Sequence, residues 1–176
     1  MSRLIITTAT TVDGVIDGFE WYVSKGGHDQ AGRDQFDGAG AMLLGRKTYE
    51  GLAGYWPAQE GPWADLINPL PKIVASRTLS EPLEWNARLL QGELGEAVPR
   101  LKEELHGDLL VSGCGELARG LLAEGLVDEL RFWVHPVVWG DGGRPFEGET
   151  VRMRLLDSKT FDSGVTLLRY DPLRAG

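Results

Sequence analysis

This chain is poor in the residues that build metal centres and covalent cross-links. Cys114 is its one thiol, which excludes an internal disulfide and a cysteine-based metal site. His28, His106 and His135 are scattered without ligand spacing, so no metal is expected. No window approaches the roughly 18 apolar residues a membrane span requires. The apolar stretch after Met1-Ser2-Arg3 is too short for a signal segment, so a cytoplasmic protein without a membrane partner is expected. Positive charge is scarce as well, with 18 Lys and Arg against 26 Asp and Glu and a formal charge of −8. Nucleic-acid binding is dominated by basic surfaces that neutralise phosphates, so no nucleic-acid partner is expected. Low-complexity tracts are also missing, and 176 residues with 42% apolar content suit one globular domain spanning 1–176. Any anion must therefore be held by a local cluster of cations, against the field of the whole chain.

Such a cluster exists in Ala41 to Leu52. Met42 to Leu44 is a short apolar run of strand type, Gly45 permits a turn, and Arg46, Lys47 and Thr48 fall in the first turn of a helix. Unpaired amides and the positive end of the helix dipole attract an anion there, and the side chains add charge and a hydroxyl. For Gly-Arg-Lys alone, an ordinary strand-to-helix turn with solvated cations is an equally good reading.

The rest of the chain alternates strands and helices. Strands are predicted at Leu4 to Thr8, Ala41 to Leu44, Lys72 to Ser76, Ala87 to Leu90, Asp108 to Ser112 and Leu130 to Val138. A Gly/Asp-rich loop covers Thr11 to Gly18, and a short helix is predicted over Asp29 to Phe36. Pro57, Gly61 and Pro62 break the chain. Apolar residues at 94, 98, 101 and 105 give a helix in which Pro99 sits near the first turn or causes a kink. Leu117, Ala118, Leu121 and Leu122 form the apolar face of another helix, stopped by Gly125. Met153 to Phe161 and Val165 to Tyr170 flank Asp162-Ser163-Gly164, a hairpin connection. The fold class is α/β, with a mixed, mostly parallel sheet and an antiparallel C-terminal edge. Ligands of such sheets sit beyond the carboxyl ends of parallel strands. Ala9 to Gly18, Gly45 to Thr48, Ser76 to Thr78 and Gly113 to Glu116 all meet that description, which together point to a phosphate-bearing ligand.

Several ordered motifs carry a family likeness: Thr8-Ala9, Val12-Asp13-Gly14-Val15-Ile16-Asp17-Gly18, Leu44 to Glu50, Val74-Ala75-Ser76-Arg77-Thr78, Gly113-Cys114-Gly115, Gly125 to Leu130 and Pro136 to Gly142. In this order they resemble the dihydrofolate reductase superfamily. The likeness is nearer to its branch containing the reductase (C-terminal) domain of bifunctional riboflavin-biosynthesis enzymes. It spans essentially the whole chain. It implies an eight-stranded mixed sheet flanked by helices, NADPH along the strand ends, and hydride transfer to a flat pteridine- or pyrimidine-type heterocycle. A homodimer is expected on the same ground, with Trp133 and Trp139 at its interface or in the core.

The resemblance also implies residue roles. Gly45, Arg46, Lys47 and Thr48 match the helix start under the adenosine side of NADPH, Arg46 meeting the 2′-phosphate and Thr48 the pyrophosphate. Ser76, Arg77 and Thr78 match a second adenosine contact in which Arg77 adds another cation; planar guanidinium forks suit a phosphate dianion. Gly113, Cys114 and Gly115 match a paired-glycine turn whose amides approach the pyrophosphate, with Glu116 and Leu117 opening the helix behind it. Thr8, Ala9 and Ile16 match positions around the nicotinamide. Cys114 is either a thiol near that ring or a small buried hydrophobe.

Hydride addition leaves negative charge on the acceptor, so a proton must follow from a carboxyl group or an ordered water. The resemblance places Asp29 where the folate-reducing branch carries its carboxylate. The competing reading is a helix-capping Asp29, with Asp34, Asp37 and His28 as other donors. Trp21 and Tyr22 either wall the substrate pocket or pack. Val15 and Asp17 stand where the riboflavin enzymes usually carry a lysine and a small residue, which weakens a ribose-phosphate substrate. Nothing resembles the His-x-Glu and Pro-Cys-x-x-Cys zinc site of a deaminase. Two alternatives remain beside the reductase: a non-catalytic NADP(H)-binding module and an interaction protein.

Overall fold

The computed structural model describes residues 1–148 and 150–173. Its strands are β1 (Leu4–Thr11), β2 (Ala39–Gly45), β3 (Lys72–Ala75), β4 (Ala87–Leu89), β5 (Asp108–Ser112), β6 (Glu129–His135), β7 (Met153–Thr160) and β8 (Thr166–Pro172). The helices are α1 (Gly27–Asp37), α2 (Arg46–Tyr55), α3 (Pro62–Ile67), α4 (Leu94–Glu104) and α5 (Glu116–Ala123). The strands form one eight-stranded sheet in the order β4-β3-β2-β5-β1-β6-β8-β7. Neighbours from β4 to β6 run parallel, whereas β8 is antiparallel to both β6 and β7. The predicted class, strand count and antiparallel edge are all present.

The central strands β1, β2 and β5 are continuous apolar runs because both faces are covered. On one face Leu4, Ile6, Leu43, Leu109 and Val111 pack against Val98 and Leu101 of α4 and Ala118 and Leu121 of α5. On the other, Met42, Leu44 and Val74 pack against Tyr49 and Leu52 of α2, Ile67 of α3 and Phe36 of α1. The helices leaving β2 and β5 thus go to opposite faces of adjacent strands, which opens a crevice at their carboxyl ends.

Three local differences have physical causes. The first helix starts at Gly27, two residues early, because the distant Asp162 carboxylate accepts the Gly27 N–H at 3.0 Å in place of a local cap. The Pro57 to Pro62 break contains a 3₁₀ turn, Trp56–Ala58, and the short α3 with Pro62 in its first turn. Lys72 completes α3: its fully buried ammonium donates to the carbonyls of Ile67 (2.6 Å) and Asn68 (2.8 Å) and lies 3.9 Å from the centre of the Trp85 ring. Strand β6 stops at His135 rather than Val138, since Pro136 has no N–H and the Val137 amide turns back to the His135 carbonyl at 2.8 Å. Pro99 lies inside α4, in its second turn.

Candidate functional site

Strand order brings the predicted ligand segments together. The carboxyl ends of β3, β2, β5 and β1 are consecutive in the sheet, so Ser76 to Thr78, Gly45 to Thr48, Gly113 to Leu117 and Thr8 to Ile16 share one rim. Gly45 and Gly115 precede α2 and α5, and neither helix has a side-chain cap, so the first-turn amides are free to meet an anion. These two starts are neighbours: a Cβ on Gly45 would lie 3.7 Å from that of Leu117. Gly113 has φ +92 and faces open space, a conformation glycine adopts freely and one that bares backbone to a ligand.

The cations at the rim differ in readiness. Arg46 Nη1 is paired with Glu50 at 3.1 Å, an exposed ion pair one helical turn apart that must open before Arg46 meets a phosphate. Arg77, in the turn after β3, makes no ion pair among the described residues. Ser76 holds that turn, its Oγ accepting the amides of Thr78 (3.2 Å) and Leu79 (3.0 Å). Cys114 is buried, and burial pushes its thiol up to about 11 despite a hydrogen bond with Thr8. It is an inert packing group at neutral pH, the second of the two readings above.

The loop after β1 is clasped by the loop after β6. Asp13 accepts the amides of Trp139 (3.0 Å) and Gly140 (2.8 Å) and the hydroxyl of Thr11 (2.6 Å), and these bonds hold its carboxyl far below the usual range. Asp17 accepts the Gly143 amide at 2.6 Å, and the Ile16 amide donates to the Gly143 carbonyl at 3.0 Å. A Cβ on Gly142 would approach Val15 to 2.6 Å, and one on Gly143 would approach Asp17 to 2.7 Å. Two motifs separated by more than a hundred residues are therefore the halves of one contact. Val15 is wholly buried in it and is unavailable to a ligand.

Asp29 lies in the first turn of α1 with both oxygens engaged, one accepting Trp63 Nε1–H at 2.7 Å and the other paired with Arg33. It does not cap α1, whose N-terminal cap is Gly26. Asp34 and Asp37 lie in the half of α1 that runs toward the start of β2, and Asp34 accepts from Gln30 at 2.7 Å. Trp21 is packed, its Nε1–H donating to the Asp17 carbonyl at 2.8 Å, while Tyr22 is partly exposed. Trp133 is a core residue, donating to Thr7 Oγ1 at 3.1 Å and stacked on Phe161, whereas Trp139 is exposed. Sequence spacing missed the pairing of His28 with His135, whose ring centroids lie 5.7 Å apart although 107 residues separate them.

Residues 2–167 match the RibD C-terminal domain family. The chain belongs to that family. RibD C-terminal domains are the reductase part of riboflavin biosynthesis enzymes. A relative in Bacillus subtilis (strain 168), the uncharacterized protein YyaP, is 30% identical, with 96% of this chain and 94% of that protein covered. Among solved structures, a candidate riboflavin biosynthesis protein from Shewanella sp. PV-4 superposes with TM-score 0.77 at 21% identity, covering 98% of this chain and 99% of that one. A pyrimidine reductase-like protein from Corynebacterium diphtheriae gives TM-score 0.67 at 15% identity, with 99% and 93% covered. A Thermotoga maritima diaminohydroxyphosphoribosylaminopyrimidine deaminase/5-amino-6-(5-phosphoribosylamino)uracil reductase also gives 0.67 at 15% identity; this RibD C-terminal domain covers 57% of it and is itself covered to 98%. At these identities the solved structures speak to the fold, which is that of RibD and the dihydrofolate reductases. No described helix is long and apolar enough to cross a membrane.

Proposed function

We propose that this RibD C-terminal domain protein is an NADPH-dependent reductase that transfers hydride to a flat heterocycle of the pteridine or aminouracil kind. The observation that carries the reading is the contiguous rim itself. The uncapped starts of α2 and α5 lie side by side, flanked by Arg46 and Arg77 on adjacent strand ends. That donor set fits a dinucleotide with an extra phosphate: first-turn amides for the pyrophosphate and planar cations for the 2′-phosphate. Bound NADPH would supply the hydride. Arg46, Lys47 and Thr48 would bind its adenosine half with Ser76, Arg77 and Thr78. Gly113, Cys114, Gly115, Glu116 and Leu117 would line the pyrophosphate, and Thr8, Ala9 and Ile16 the nicotinamide. The clasp at Asp13 and Asp17 holds the loop that carries Ile16 in place at the end of β1.

Asp29 would orient the substrate through its carboxylate, itself positioned by Arg33 and Trp63. That engagement of both oxygens also supports a second reading, a cofactor-binding module without turnover. A homodimer belongs to the same proposal, because all eight residues of β7 are exposed, Met153, Leu155 and Leu156 among them.

The test is a titration with NADPH and NADH followed by tryptophan fluorescence and thermal shift. NADPH is expected to bind more tightly than NADH. Arg46→Ala should erase most of that preference, a loss of about 10-fold or more for one charge-assisted phosphate contact. Failure to bind either nucleotide sinks the reductase reading. Binding without turnover of dihydrofolate or aminouracils favours the cofactor-binding module.

A further inference from the structure

His28, near the start of α1, and His135, the last residue of β6, are exposed to only 2% and 1%. Both hold Val23, in the loop between β1 and α1. The Val23 amide donates to His135 Nδ1 at 3.1 Å, and the Val23 carbonyl accepts from His28 Nε2 at 2.7 Å. These two bonds assign the protons. A carbonyl only accepts, so His28 carries hydrogen on Nε2; an amide N–H only donates, so His135 Nδ1 is bare and its neutral ring carries hydrogen on Nε2. His28 is then fully used, because Nδ1 meets Ser163 Oγ at 2.8 Å.

His135 is not. Its Nε2–H has no hydrogen-bond partner among the described residues, and it is not sealed in the core, since no fully buried side-chain nitrogen or oxygen among them lacks a partner. The one unpaired donor of this ring therefore lies at the sliver of surface the ring keeps, 1% of its area. Its place is the rim: His135 is level with Thr11 of β1, two residues beyond Trp133, which is level with Ala9. Two aromatic rings adjoin it, Tyr22 centred 4.4 Å away at a tilt of 38° and Trp21 edge-on at 5.3 Å. The ionisable groups facing the ring are His28 from α1 and Tyr22 from the loop, with Asp29 acting on Tyr22 and Asp162 of the β7–β8 turn on His28. Burial, reinforced by His28, pushes the imidazole down to about 4, so it stays neutral near pH 7. A neutral imidazole with a fixed tautomer donates a hydrogen bond without carrying charge, which suits an uncharged acceptor.

We propose that His135 Nε2–H is a substrate-binding donor, taking a carbonyl oxygen or bare ring nitrogen of the heterocycle beside the Tyr22 ring. This inference rests on the reductase reading. It specifies that the substrate presents an acceptor, not a donor, on the edge facing the end of β6.

Two variants separate the donor from the clasp on Val23. His135→Asn keeps an acceptor near the Nδ1 position and removes the distal donor; His135→Gln reaches the Nε2 position with an amide N–H and gives up the clasp. The probes are 5,6-diaminouracil and dihydrofolate, each added to protein saturated with NADP⁺, with ¹⁵N-histidine NMR and heterocycle affinity as readouts. In the free protein, His135 should show a protonated Nε2 and a bare Nδ1. One probe should shift that Nε2–H resonance. His135→Asn should weaken the same probe about 10-fold or more while NADP⁺ affinity is unchanged, and His135→Gln should retain most of the affinity. Absence of NADP⁺ and NADPH binding in the wild type overturns the reductase reading and this assignment with it. Cofactor binding with neither probe held, or with a probe held while the His135 signal stays still and His135→Asn binds normally, overturns the assignment and leaves the cofactor reading standing.

Discussion

Single residues at the rim are poised rather than committed. Arg46 spends the free state paired with Glu50, an exposed contact worth little because water screens it. Breaking it is nevertheless part of binding a phosphate at Arg46. Glu50→Gln is therefore expected to tighten NADPH modestly, about 2- to 5-fold, the size of a surface ion pair and a removed like charge. Isothermal titration at low salt measures this, and the gain should shrink as ionic strength rises. An unchanged or weaker affinity would mean that Arg46 does not meet the cofactor. The pattern Arg46-x-x-x-Glu50 was visible in the sequence, but whether the pair closes depends on the helix forming there.

Among the elements, α1 carries the most consequence because its start is held from outside. The tip of the β7–β8 hairpin supplies Asp162 to the Gly27 amide and Ser163 to His28, standing in for the cap that Gly26 cannot provide. Asp29 sits two residues further on. Bonds from Gly27, and from the turn's own amides, hold the Asp162 carboxyl below its usual 3.8. A lowered carboxyl stabilises the fold above its unfolded value and ceases to as pH falls. Asp162→Ala should thus lower the thermal midpoint at pH 7, and the difference from wild type should close below pH 3.8. Differential scanning calorimetry across pH checks this. A gap that persists in acid would place the effect in the hairpin's own turn. The hairpin itself was legible from Asp162-Ser163-Gly164, with Gly164 at φ +84 as the turn demands. Its docking on α1 was not, since nothing in residues 161–165 encodes a partner that lies 135 residues away.

Across the whole molecule, the base of the sheet is tied by one carboxylate. Glu129, exposed to 2%, accepts from Arg3 (3.0 Å), Arg131 (2.7 Å) and Arg169 (2.7 and 3.1 Å), joining the chain before β1 to β6 and β8. Burial alone would raise its pKa, but the hydrogen bonds and charges of Arg169 and Arg131 prevail and hold it down to about 2. Its contribution is complete above the ordinary 4.5 and is lost as pH drops from 4.5 toward about 2. Glu129→Gln should cost about 2 kcal/mol at neutral pH, because the charge-assisted hydrogen bonds of three partly exposed arginines to a buried carboxylate are weakened. The wild-type acid transition in that window should flatten in the variant, as urea melts at pH 7 and pH 3 would show. Equal stability at pH 7 would mean that water already satisfies these arginines.

Periodicity and turn chemistry alone determined the α/β class, the parallel core, the antiparallel edge and the four ligand-type strand ends. Continuous apolar runs, glycine at special φ and cations after a strand are local signals, written within a few residues. The tertiary structure decided what is non-local. It put β3, β2, β5 and β1 side by side, joined Asp13 and Asp17 to the 139–143 loop, engaged Asp29 with Arg33 and Trp63, and set His135 beside His28 and Tyr22. Such contacts depend on strand order and on which face each helix covers. Those are settled by burying apolar area across the whole sheet, and no short window of sequence records them.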